Sequence, residues 1–522
     1  MNEFDFDYVI IGSGFGGSVA ALRLSEKGYT VLVLEKGKAF KASDFPKTNW
    51  NLKRWMWLPL FRFFGFFKLS FFRHITVLSG VGVGGGSLVY ANTLPIPKKN
   101  FFKAESWADL ADWHKELAPF YRKADKMLHA TINPKLQIGD LVLQKLSEEI
   151  GRQTHFEPTR VAVFFGEEDK AVPDPYFNGR GPGKSGCNFC GGCMTGCRYN
   201  AKNTLDKNYL YFAQKHGAII QAESQVYDVQ PTSLSKRGDG YIIKWRRSTT
   251  LRRKKGQCRA RGVIFAGGVL GTVPLLLKLK QKSLRNLSDR IGSGIRTNSE
   301  SLIGITTFNK DLDFSKGIAI GSILHTDVNS HIEPVRYASG SGFWRLLLAP
   351  MVNGKRWYTR IVKTLSDALC HPLTNARVFF TRDFAKYTQI LLFMQTIDST
   401  LRFKRNFLGI IKSKMEQGPA PTAFIPEAQV LAHRFAEHVN GKPVTLITET
   451  LAGIPTTAHI LGGCVMGADR HRGVIDKDHR LFGYDNLYVC DGSTISANPG
   501  VNPSLTITAL CERAMSKIPQ KN

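Results

Sequence analysis

The sequence predicts an α/β protein in which a Rossmann-like dinucleotide-binding domain is joined to a second, sheet-based domain. Three observations carry this. A strand, a glycine-rich turn, a helix and a second strand follow one another at the start of the chain. A second strand runs into a glycine pair and a helix at 264–277. Strand-like runs fill 301–430 before the αβ pattern returns near Val430.

The first unit opens with Tyr8-Val9-Ile10-Ile11, a short buried-strand pattern. It runs into Gly12-Ser13-Gly14-Phe15-Gly16-Gly17 and a helical pattern over Val19, Ala20, Leu22 and Leu24. Gly28 closes the helix, Thr30 to Leu34 form the second strand, and Glu35 ends it. Gly12 permits the tight turn, Gly14 lets a pyrophosphate reach the backbone, and Gly17 lets helix and strand pack closely. The helix N-terminus then faces the phosphates. Glu35 sits where a carboxylate accepts ribose hydroxyls, which argues against a 2′-phosphorylated cofactor and leaves FAD and NAD open.

Residues 50–74 hold three Trp and seven Phe, interspersed with Lys53, Arg54, Arg62, Lys68 and Arg73. Pro59 and Gly65 break the stretch into short pieces, against a single spanning helix. A lipid-facing loop, the mouth of an apolar pocket and a core element all remain readings of it. Gly80 to Asn92 is so rich in glycine that its backbone can pass close to a large flat ligand. Residues 104–131 read as an amphipathic helix and 166–185 as a surface excursion. A helix is expected from Leu205 to His216, with strands at 218–221, 226–229, 240–246 and 262–265. Ile264 to Gly268 then enters a helix from Val269 to Leu277. Leu487 to Gly492 is the last strand, and Thr506 to Ile518 the last helix.

At 522 residues, of which 43% are apolar, the chain is long enough for roughly two to four folded domains. The expected division is a discontinuous nucleotide-binding domain (1–45, 76–310 and 430–522), an entrance or membrane-facing segment (46–75) and a substrate-binding domain (311–429). The formal charge of +29 predicts attraction to anionic surfaces such as membrane phospholipid. Its densest run, Lys244 to Arg247 and Arg252 to Lys255, is also what a solvated hairpin between two strands would show. No nucleic-acid module is apparent and no nucleic acid is expected. No charged leader with an apolar run precedes the first strand, so the expectation is no classical signal peptide and a cytoplasmic location, peripheral to the inner membrane face.

The C-terminal region carries the richest chemistry: His459-Ile460-Leu461-Gly462-Gly463, Asp491-Gly492-Ser493, and Gly500-Val501-Asn502-Pro503-Ser504. A histidine before a glycine pair can lie against a flat ring. Asn-Pro opening a helix fixes the amide and offers unpaired N–H groups to an anionic ring edge.

These segments together resemble the glucose-methanol-choline (GMC) oxidoreductase family, and within it the cholesterol oxidase-like branch. The resemblance runs through Val9 to Glu35, Gly80 to Asn92, Gly186 to Leu210, His331 to Arg336 and His459 to Arg513. It implies non-covalent FAD and a GMC-type substrate domain. The implied cofactor set is Gly12, Ser13, Gly14, Phe15, Gly16, Gly17 and Glu35 in the first unit, then Gly84, Gly85, Gly86, Ser87 and Asn92, Val226, Gly267 and Gly268, and Asp491, Gly492, Asn502 and Pro503. It implies His459 and Asn502 as the pair facing the flavin and Glu333 as the acid that isomerises a sterol to the 4-en-3-one. Tyr90 departs from the Asn of better-studied members. The implied substrate is an apolar, sterol-like alcohol, with oxygen or another electron acceptor as oxidant. A lipid-alcohol or steroid dehydrogenase, and a lipid carrier without turnover, are the alternatives.

Cys187-x2-Cys190-x2-Cys193-x3-Cys197 has the spacing of a [4Fe–4S] ligand run. Arg198 replaces the usual following proline, and no second such run exists. Zinc is a rival for four thiolates. The resembled family is described mostly with flavin alone, so the expectation is no metal and a cysteine-rich loop packed beside the flavin domain.

Overall fold

A computed structural model describes residues 3–232, 240–250, 252–354 and 356–521. The first sheet is built around Phe6–Ile11. On one side Val31–Leu34 and then Ile219–Gln221 add in parallel. On the other side lies Lys255–Phe265, also parallel. That long strand serves two partners on its far edge. Its start pairs antiparallel with Tyr241–Arg247, and its end pairs parallel with Leu487–Val489. Ser224–Pro231 closes the sheet. The basic run therefore is a hairpin, with Arg259 and Arg261 exposed while Cys258 and Ala260 alternate inward.

The helix Phe15–Glu26 packs against this sheet because it carries no side chain where it crosses the first strand's end. A methyl on Gly17 would stand 2.1 Å from the Gly12 carbonyl oxygen. The C-terminal helix Ser504–Ser516 lies alongside, joined through Arg23, whose guanidinium donates to both oxygens of fully buried Glu512 at 2.7 and 2.8 Å. Tyr209 Oη donates to the same carboxylate at 2.8 Å. A buried carboxylate so paired costs little; unpaired, it would cost several kcal/mol, on the order of 3–5.

The second sheet is antiparallel throughout. Its order is Leu348–Pro350, Gly441–Leu446, Ser301–Thr307, Thr388–Gln395, Ser330–Val335, Ser322–His325 and Phe156–Pro158. Side chains alternate between its faces. Ile303, Ile305, Leu391 and Phe393 pack with Leu431 and Phe435 of the helix Pro426–His438. Leu302, Gly304, Ile390 and Leu392 face the other way, into a cavity. Three of its strands come from outside 311–429. Inside that range, the Thr400–Arg405 and Ile411–Gln417 hairpin turns back toward the first unit, bridging Leu401 to Ile295.

The aromatic stretch divides. Trp55, Met56, Phe66 and Phe67 are buried, whereas Leu60 and Phe61 are 86% and 62% exposed at the tip of a small hairpin. The helix expected over 104–131 is confined to Trp113–Leu128, started by Asp112, whose carboxylate accepts from Lys115 N. No helix among the described residues is long and apolar enough to cross a membrane.

Gly17→Ala pushes a methyl into rigid backbone, and overpacking of this kind costs about 1–3 kcal/mol. The urea midpoint of G17A is expected to fall below that of the parent; an unchanged midpoint would show that the helix tolerates the shift.

Candidate active site

Between the strand ends of the first sheet and the free face of the second lies a cavity of about 680 Å³. The glycine turn Gly12 to Gly16, Glu35, Val226, Gly267 and Gly268 wall one part of it. Leu302, Val335, Leu392, Trp344 and Phe384 wall another. His459, Asp491, Gly492, Asn502 and Pro503 also reach it.

The nucleotide part fits an anionic, flat cofactor of the FAD kind. Three helices begin at the wall, at Phe15, Val269 and Ser504. None has a side-chain cap, and none has an acidic residue in its first turn. Their free N–H groups and dipoles favour negative charge in the cavity. A methyl on Gly14, Gly268 or Gly271 would meet no atom within 4 Å, so the space above these backbones is open. Glu35 is held by Ser13 N and Oγ on one oxygen and Gly37 N on the other, which leaves acceptor capacity for hydroxyls. Asp491 accepts from Gly268 N, Ser493 N and Thr272 Oγ1. Burial nonetheless outweighs these bonds and raises its pKa.

Not every expected cofactor residue reaches the wall. Gly17 faces the Gly12 carbonyl, behind the phosphate turn. Gly84 N donates to Ser13 Oγ at 3.2 Å, and Ser87 Oγ donates to Gly84 O and accepts from Leu205 N. These residues hold the second loop against the first; Gly85 and Gly86 are the ones that line the cavity. Asn92 is fully buried with φ 71°, also behind the wall. A methyl on Gly462 would stand 1.9 Å from Gly294 O, so Gly462 serves the crossing of two backbones. Tyr90 lines the cavity with its hydroxyl donated to Asn203 O.

His459 follows the short strand Thr456–Thr457, and its Nδ1 lies 2.9 Å from Glu300 Oε1. A nitrogen facing a carboxylate carries the proton, which leaves Nε2 as the lone-pair nitrogen. Asn502 Nδ2 lies 3.5 Å from that Nε2, and Asn502 Oδ1 is buried without a protein partner. Burial by itself would lower the His459 pKa; the Glu300 charge and hydrogen bond, with Glu333 adding, hold it above its ordinary value. Burial would raise Glu300, but His459 and bonds from Thr457 Oγ1 and Ala458 N hold it low. Beyond it, burial pushes Glu449 up to about 8, and the Glu300 charge adds to the rise.

Glu300 and Glu449 escaped the sequence reading. Glu300 directly precedes an apolar strand, and no local motif marks it; its partner is 159 residues away. Glu333 was expected in the site, yet its side chain does not line the cavity. It pairs across strands with Leu392 and shares a sheet face with Val335, both of which do. Both its oxygens are buried without a hydrogen-bond partner, and His331 Nε2 stands 3.6 Å away.

Residues 10–43 match a family described as NAD(P)-binding Rossmann-like domain, and 392–511 one described as GMC oxidoreductase. The chain is 48% identical to a cholesterol oxidase of Acinetobacter baumannii, covering 100% of this chain and 96% of the relative. It is 42% identical to a cholesterol oxidase of Mycobacterium tuberculosis, over 99% of this chain and 92% of the relative. A long-chain-alcohol oxidase of Arabidopsis thaliana is 25% identical over 98% of this chain and 67% of the relative. The fold matches pyridoxine 4-oxidase from Mesorbium loti with a TM-score of 0.61, at 14% identity and 98% coverage of both chains. With two full-length relatives above 40% identity and the nucleotide cradle in place, the chain belongs to the GMC oxidoreductase family, in its cholesterol-oxidase branch.

Proposed function

We propose that the chain oxidises the 3β-hydroxyl of a sterol to the ketone. The observation that carries this is the meeting, in one cavity, of an apolar sheet face with the His459–Asn502 pair and three uncapped helix starts. The full-length likeness to two proteins named cholesterol oxidase supports the choice of alcohol.

FAD, when bound, supplies the hydride acceptor. His459 Nε2 takes the hydroxyl proton, and Glu300 stabilises the imidazolium that results. Asn502 supplies an amide to the substrate oxygen beside that nitrogen. Leu302, Val335, Ile390 and Leu392 hold the rings by apolar contact and exclude water. Glu333, which shares a sheet face with the cavity-lining Val335 but lies behind the wall, is in this reading the base that carries a proton from C4 to C6 and yields the 4-en-3-one. The second sheet, with the 426–438 helix behind it, is the substrate domain in this reading.

The exposed apolar tip Leu60 and Phe61, with Arg62 beside it, is the contact with an anionic membrane from which a sterol is drawn. The helices Trp357–Cys370 and Pro372–Phe379 expose further apolar side chains, Leu365, Leu369 and Leu373.

Because the His459 pKa is raised, kcat/KM for cholesterol is expected to fall as pH drops through a value above 6.5. Glu300→Gln removes the charge that raises it, so the acid limb moves to lower pH. A charge-assisted hydrogen bond contributes about 1.5–3 kcal/mol, which is about 10- to 100-fold in rate. Unshifted limbs in E300Q would remove Glu300 from the role.

Anaerobic cholesterol is expected to bleach the flavin of the parent and of Glu333→Gln alike. E333Q should then release the 5-en-3-one, with isomerisation slowed by about 10²–10⁴-fold. Equal yields of conjugated product from both proteins would dismiss Glu333 as the base, and failure of cholesterol to bleach the parent would dismiss the substrate.

Co-sedimentation with phosphatidylserine vesicles checks the membrane surface. Binding is expected to weaken in L60D/F61D and on adding salt. Equal binding by parent and double variant would rule out the tip as the contact.

A further inference from the structure

The catalytic scheme leaves a run of four cysteines unused. Cys187, Cys190, Cys193 and Cys197 are all free thiols, and they surround one small void of about 20 Å³ bounded by Val163, Ala201 and Gly317. Every sulfur has a backbone amide aimed at it. Phe189 N donates to Cys187 Sγ and Lys202 N to Cys197 Sγ, both at 3.4 Å. Gly192 N and Ala319 N serve Cys190 and Cys193. A neutral thiol is a weak acceptor. Four amides directed at four sulfurs is the arrangement that stabilises thiolates around a cluster and tunes its potential.

The surrounding charge points the same way. Lys184 and Lys202 are 2% and 1% exposed. Lys202 Nζ donates to the carbonyls of Leu88, Tyr90 and Cys193 at 2.8–3.1 Å, and Lys184 Nζ to Lys202 O and Asn203 Oδ1. Neither lysine makes an ion pair among the described residues. A charge on either buried amine would need a compensating one, and four thiolates around an iron–sulfur core leave a net negative one.

A single zinc ion is the poorer occupant. With Zn–S bonds of about 2.3 Å it would gather the sulfurs into a tight tetrahedron. Among the described residues, the donor set that closes to within 4.8 Å is His479, Cys490 and Cys511, and not this quartet.

The loop also touches the redox cavity. Met194, next to Cys193, lines it, and so does Tyr90, whose carbonyl Lys202 holds. We propose that Cys187, Cys190, Cys193 and Cys197 ligate a [4Fe–4S] cluster that carries electrons from the reduced flavin to a one-electron acceptor protein. The relay rests on the alcohol-oxidising reading above; the cluster site does not. Each alcohol oxidised gives up two electrons and two protons. The cluster takes up and releases one electron at a time, so two acceptor molecules are reduced per ketone and the protons pass to solvent.

The test begins with the holoprotein purified anaerobically from iron-replete cells. Iron, acid-labile sulfide, zinc and FAD are measured, and the dithionite-reduced sample is examined by electron paramagnetic resonance. The expected result is about four iron and about four sulfide per chain, with a paramagnetic signal on reduction. Zinc in their place, or FAD-loaded protein that holds no iron after anaerobic reconstitution with ferrous iron and sulfide, would overturn the proposal. Cys190→Ala, at one of the two half-buried ligands, is expected to lose iron while keeping FAD and its circular dichroism; a folded C190A with full iron overturns the assignment. Should C190A fail to fold, the metal and sulfide content of the parent decides by itself. With ferricyanide as the one-electron acceptor, cholesterol turnover in C190A should fall at least about tenfold while stopped-flow flavin reduction is unchanged. Equal ferricyanide rates would sink the relay. Flavin bleaching by cholesterol is read in the same samples, so failure of the alcohol reading is seen separately from the iron count.

Discussion

The hydrogen bond between Glu300 and His459 is where the two sheets become one site. Glu300 directly precedes the Ser301–Thr307 strand of the second sheet, and His459 belongs to the C-terminal return to the first. The carboxylate sets the tautomer of the imidazole, raises its basicity and turns the free nitrogen toward Asn502. Its position is stiff because the segment leading to it is pinned on both sides. Gly292 N donates to Gly463 O, Arg296 pairs with Leu461, and Asn298 Nδ2 donates to Val501 O. A shift of this segment would move the base, the amide and the sheet face together.

The cavity follows from that seam. A Rossmann sheet places its glycine turns and helix starts at one edge, where they favour anions. An antiparallel sheet covered by helices on one face has a second face to bury or to use. Here the uncovered face is apolar and looks toward the helix starts, so a flat anionic cofactor and an apolar alcohol share one space. The buried acids then divide by surroundings. Glu300 stays ionised beside an imidazole, Glu449 is pushed up to about 8 by burial, and Glu333 keeps both oxygens without a partner.

Much of the nucleotide half was legible in the chain because its signals are local. Gly12, Gly14, Gly17 and Glu35 lie within one βαβ unit, and the strand, turn and helix each leave their own period. The glycines were less legible as individuals. Gly17 and Gly462 are there for backbone crossings and Gly84 for a φ of 99°, and only the packing around them tells those uses from ligand contact. The second sheet was hardly legible in its boundaries. Phe156–Pro158 pairs with Ser322–His325, and Gly441–Leu446 with Ser301–Thr307. Antiparallel neighbours so far apart leave no mark in a local pattern.

By itself the sequence determined the fold class, the phosphate turn with its acidic partner, the family and the candidacy of His459 and Asn502. The first two rest on residue types at short, fixed spacing, and the family and that pair on a resemblance carried by segments along the whole chain. Only the tertiary structure decided which carboxylate serves His459, which face of the second sheet meets the alcohol, and which part of the aromatic stretch is buried. It also brought Lys184 and Lys202 to the cysteine run. Those outcomes depend on contacts between distant segments and on burial, and the energy of a charge or a hydrogen bond is set by surroundings that exist only once the chain has folded.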